Sequence, residues 1–103
     1  MKSLIVLFNL KEGVSAADYE AFAKDLDIPT VKSLKSVSEF QVFKSQGIFG
    51  SEAIPPYQYV EIIHFDSTEN LVSDMGKEPK MAEILAKFQE FADNPIFIVS
   101  DLI

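Results

Sequence analysis

The chain has 103 residues, 48% of them hydrophobic and nine of them phenylalanine, enough for one packed core but not for two. Nine basic residues against sixteen acidic ones leave a formal charge of −7, and the basic residues form no stripe, which argues against a nucleic-acid partner. There is no cysteine and one histidine, so disulfides, thiolate catalysis and Cys-ligated metals are excluded, and no metal site is expected.

The run Ser3 to Asn9 is continuously apolar and rich in β-branched residues, then stops at a Lys-Glu-Gly turn over Lys11 to Gly13. This pattern predicts a strand buried on both faces. It is too short for the core of an export signal and no small-residue cleavage site follows, so a cytoplasmic protein is expected. No apolar stretch approaches the length of a membrane span. Ser15 is placed as a helix N-cap, with Asp18 as the capping-box acid and Val14 positioned to staple onto Tyr19. Tyr19, Phe22, Ala23 and Leu26 then make one helical stripe, which Pro29 is expected to interrupt, with a short turn over Thr30 to Leu34. Asp25 and Asp27, two apart on that helix end, do not share a face and read as a solvated terminus.

Ser36 to Lys44 alternates imperfectly, Phe40 and Val42 opposing Glu39 and Gln41, and predicts a half-exposed edge strand. Ser45 to Pro56, with two glycines and two prolines, is the longest connection, the kind of loop that carries function. Gln58 to Phe65 predicts a third strand. Asp66 and Glu69 open a second helical region that Gly76 and Pro79 split, its later part presenting Met81, Ile84, Leu85, Phe88 and Phe91 on one face. Asp93-Asn94-Pro95 reads as a turn before a last apolar strand, Ile96 to Val99.

The order βαββαβ predicts an α+β, ferredoxin-like domain over residues 1–103, an antiparallel sheet with both helical regions on one face. The first and last strands are apolar on both sides while helices cover only one, so a large apolar face is left over. Packing two such sheets face to face, about 10 Å apart, would bury it in a homodimer.

Leu4 to Lys11 with Gly13, the segment Asp27-Ile28-Pro29-Thr30-Val31, Pro56 to Ile62 and Phe88 through Phe97 together resemble the RedY-like family, which includes HapK and PigK, within the dimeric α+β barrel superfamily. The resemblance implies a role in prodigiosin-type tripyrrole pigment biosynthesis, in its bipyrrole branch. It implies a small-molecule partner, an aromatic or pyrrole or polyketide-like intermediate, and a cyclisation, dehydration or condensation without a cofactor. A non-catalytic accessory or carrier protein of the same pathway is the alternative, and a cofactor-free monooxygenase finds no specific support. The fold by itself fixes no chemistry.

Alternation along the third strand sends Tyr59, Glu61 and Ile63 one way and Val60, Ile62 and His64 the other. Comparison with polyketide cyclases of the superfamily implies that the Tyr59 side lines a pocket between sheet and helices. The same comparison turns Ser3, Ile5, Leu7 and Asn9 toward it, with Tyr19, Phe22 and Phe88 as aromatic walls. Glu61, flanked by Val60, Ile62 and Ile63, is expected to be desolvated, which raises a carboxyl pKa and suits a general acid or base. Equally, it could accept hydrogen bonds from Tyr19, Tyr57 or a lysine and only rigidify the core. Tyr59 could bind a substrate carbonyl or stack on a pyrrole, or be a core tyrosine with a satisfied hydroxyl. Asn9 could orient a ligand or merely start the turn. His64, by its parity, is expected on the dimer side of the sheet.

Overall fold

A computed structural model describes residues 1–103. Strand β1 (Lys2–Leu10) leads through a turn closed by Val14 N–H on Lys11 C=O, with Gly13 at φ 83°, a backbone state that favours glycine. Helix α1 (Ala16–Phe22), a π-helical stretch (Ala23–Asp27) and α2 (Ile28–Lys32) follow as one helical segment. Then come β2 (Val37–Lys44), β3 (Tyr59–Phe65), α3 (Thr68–Lys77), α4 (Met81–Phe91) and β4 (Ala92–Asp101). The sheet is antiparallel throughout in the order β2-β3-β1-β4, the ferredoxin-like arrangement, with β2 at an edge as its alternation suggested. No helix is long and apolar enough to cross a membrane.

Cross-strand partners share a face of a sheet, so the register sorts every side chain. Val6 stands opposite Glu61 and Phe97, and Phe8 opposite Tyr59. These sit on the helix side, where Val6, Phe8, Tyr59 and Glu61 are buried. Ile5 pairs with Ile62 and Ile98, and Leu7 with Val60 and Ile96, all on the opposite face. Within the chain β1 is therefore covered on one side only, and Ile96 and Ile98 remain exposed. The helix side is filled by an aromatic cluster: Phe8 stacks on Tyr59 at 5.6 Å and meets Phe88 edge-on at 5.0 Å, with Tyr19 packed against both Phe8 and Tyr59.

Three local expectations are corrected. Ser15 caps α1 as expected, its hydroxyl accepting from Asp18 N–H, but Pro29 does not end the helix. The preceding turn widens, with Ile28 N–H bonding Ala23 C=O five residues back, and Pro29 falls in the first turn of α2, where a missing N–H costs little. The second helical region breaks not at Gly76, which lies inside α3, but before Pro79, where Glu78 is forced extended. Asp93 to Pro95 forms no turn between elements: β4 begins at Ala92, and Asn94, at φ 46°, takes up a bulge opposite Leu7 to Asn9.

Candidate functional site

A pocket opens between the helix side of the sheet and the covering helices, with Val6, Phe97 and Ile63 on its floor and Ile84 and Phe88 on its wall. The cavity is small, about 80 Å³, and partly open at its mouth. Thirteen of its fifteen lining residues are hydrophobic, and the two exceptions are Asp27 and Glu61. Both residues are buried, each 5% exposed.

Glu61 reaches this position because β3 is internal to the sheet and alternation turns its third residue toward the helices. The Tyr19 hydroxyl donates to its Oε2 at 2.8 Å. Burial, with the Asp27 charge adding to it, pushes the Glu61 carboxyl up to about 8, against which the Tyr19 hydrogen bond acts. Both expectations for Glu61 thus meet in one residue: it is desolvated, and it is tied to Tyr19. Burial and the neighbouring carboxylate in turn hold the Tyr19 phenol far above its ordinary range.

Asp27 corrects the sequence reading, which put it on a solvated helix end. It is buried, and burial alone pushes its carboxyl up to about 7. The cause is the π turn. Tyr19, Ala23, Asp27 and Val31, all buried, recur in steps of four, a wider spacing than the 3.6 of a regular helix, and the added residue in the turn keeps them on one face. That four-residue spacing, together with an aspartate two residues before a proline, was the signal available in the sequence.

The remaining expected site residues divide. Ile63 and Phe88 line the pocket. Tyr19 stands behind Glu61, while Phe22 packs against Phe91 at 5.4 Å, away from the pocket. Tyr59 is buried in the aromatic cluster and its hydroxyl donates at 2.7 Å to Glu20, which also pairs with Lys44. It does not line this pocket. Ile5, Leu7 and Asn9 are not turned toward the pocket as expected: β1 pairs with β3 such that Val6, not Ile5, stands beside Glu61. Asn9 instead fastens the chain entering β3, donating to Pro56 C=O at 3.0 Å and accepting from Gln58 N–H at 2.9 Å. No residue of the Ser45 to Pro56 loop lines the pocket. His64 lies on the opposite face of the sheet, 2.8 Å from the Ser3 hydroxyl.

The family model described as REDY-like protein HapK matches residues 2–103. Among solved structures, HapK from Hahella chejuensis is similar with a TM-score of 0.77 at 23% identity, covering 100% of this chain and 93% of that one. An Arabidopsis thaliana protein is similar at TM-score 0.80 and 19% identity, with 100% and 96% covered. A dimeric ferredoxin-like protein of unknown function from Thermobifida fusca is similar at TM-score 0.76 and 15% identity, with 98% and 90% covered. Identities this low carry the fold alone. No curated protein matches the chain.

Proposed function

The chain belongs to the REDY-like HapK family, and from that premise we propose that it is a small cytoplasmic protein of prodigiosin-type tripyrrole pigment biosynthesis, in its bipyrrole branch, that binds an aromatic or polyketide-like intermediate and promotes a cyclisation or dehydration by acid–base catalysis. One observation carries this reading: the only two polar side chains on an otherwise apolar pocket are buried carboxyl groups, both raised toward neutrality. Groups so poised exist near pH 7 in both protonation states, which is what a general acid and a general base require. In this reading Asp27 and Glu61 exchange one proton with the bound intermediate, one giving while the other takes. Tyr19 positions Glu61 and leaves its second oxygen free to meet the ligand. Tyr59 serves by packing and by fixing Glu20, so its role is support. The chemistry needs no cofactor.

The working unit in this reading is a homodimer joined through the sheet face that carries Ile5, Leu7, Ile62, Ile96 and Ile98, a continuous apolar surface that the helices leave uncovered. The dimeric ferredoxin-like neighbour supports it. The test of function is incubation of purified protein with pathway intermediates, followed by mass-spectrometric product analysis. Conversion supports the enzyme, and saturable binding without conversion would replace it with a carrier.

A further inference from the structure

On the helical layer, α1 and α4 leave an open groove of about 340 Å³ between them, which shares no residue with the pocket or with the apolar sheet face. The two helices meet there through the Phe22 and Phe91 rings, 5.4 Å apart, which with Ala21 and Leu26 make an apolar floor. One wall carries Asp18 and Asp25 on the first helical segment, and the other carries Lys87 and Glu90 on α4. All four charged side chains are exposed, and none is in an ion pair within the chain. Asp18 and Asp25, two turns apart on one helical stripe, stand about 10 Å from each other along the groove. An apolar floor held between two helices is the shape that receives the apolar stripe of a third. The walls add a sign. Three carboxylates against one ammonium, on a chain of net charge −7, favour a basic occupant and repel a nucleic acid, an anionic lipid surface or another copy of this acidic chain.

We propose that the groove between α1 and α4 docks a basic amphipathic helix of a partner protein, its apolar stripe lying over Phe22, Leu26 and Phe91 and two of its lysine or arginine residues, seven apart, meeting Asp18 and Asp25. The partner is engaged on the helical layer, so the sheet face stays free for a second copy of the chain. The docking is independent of the chemistry of the pocket.

A suitable probe is a blocked synthetic helix of about fifteen residues, with leucines on one face and two arginines seven residues apart beside them, titrated into the full chain by NMR. Amide shifts should concentrate around Phe22, Leu26 and Phe91, and a peptide of the same composition in shuffled order should bind about tenfold more weakly or worse. Asp18→Lys combined with Asp25→Lys should weaken the arginine peptide by about tenfold or more and strengthen, by a similar factor, the peptide in which glutamate replaces both arginines. Loss of fold would not produce that reversal. Ala21→Trp should fill the groove and block the peptide without altering any charge. Equal binding of the shuffled peptide, shifts located on the outer sheet face or at the pocket mouth, or no saturable binding overturns the proposal. So does an affinity for the arginine peptide that survives both the double lysine variant and Ala21→Trp.

Discussion

The Tyr19 hydroxyl of α1 donates to Glu61 of β3 at 2.8 Å in the buried interior, joining the first helix to an internal strand of the sheet by one hydrogen bond. That bond is the only donor the chain supplies to the pocket carboxyls, so its removal has two separable effects. Tyr19→Phe keeps the ring packing and should cost about 1 to 3 kcal/mol in a chemical melt, the range for a hydrogen bond to a charged or buried acceptor. Because the bond opposes the rise of the Glu61 pKa, its loss should move Glu61 titration upward, read by carboxyl carbon NMR shifts.

Glu61→Gln removes the titratable group and keeps an acceptor for Tyr19. Turnover should fall by about a hundredfold or more, the scale of general acid–base catalysis, while ligand binding survives. Unchanged turnover in a folded Glu61→Gln protein would take Glu61 off the catalytic list and leave it a structural partner of Tyr19.

Stability should fall, not rise, as pH increases across the mildly acidic range. Asp27 and Glu61 have folded pKa values of about 7 and about 8 against ordinary values of 3.8 and 4.5, so between those limits the folded chain binds more protons than the unfolded one. Their contribution is therefore complete below about pH 4 and is lost progressively as pH rises through the folded values, each pKa unit being worth about 1.4 kcal/mol. Denaturant melts from pH 5 to 9 should show this decline, and the double variant Asp27→Asn with Glu61→Gln should flatten it. A rise over the same range in the unaltered protein would contradict the burial of the pair.

Ile62→Lys places a charge on the outer sheet face and should convert dimers to monomers in light scattering while the circular dichroism of the fold is kept. Val6→Lys should instead unfold the chain, because Val6 is enclosed on the helix side. An unaltered protein that is monomeric at micromolar concentration would exclude the face-to-face dimer.

His64→Gln should leave ligand binding and turnover unchanged, since its ring bonds Ser3 on the face away from the pocket. A large loss of turnover in a folded His64→Gln protein would show that chemistry occurs on the other side of the sheet.

The sequence alone determined the strand and helix order, the edge position of β2, the cap at Ser15 and the common face of Tyr59, Glu61 and Ile63, because each depends on near neighbours and on a fixed period. It determined too that an apolar face would be left over, since the count of two-sided strands exceeded what one layer of helices covers. What it did not determine was which side of β1 meets the helices. The first strand is apolar on both faces, so its own pattern is silent, and only pairing with β3 puts Val6 rather than Ile5 beside Glu61. Asp27 was likewise decided by tertiary structure: one wide turn before Pro29 keeps a four-residue spacing on a single face, and packing of that face against the sheet, not helix propensity, buries a carboxylic acid in the wall of the pocket.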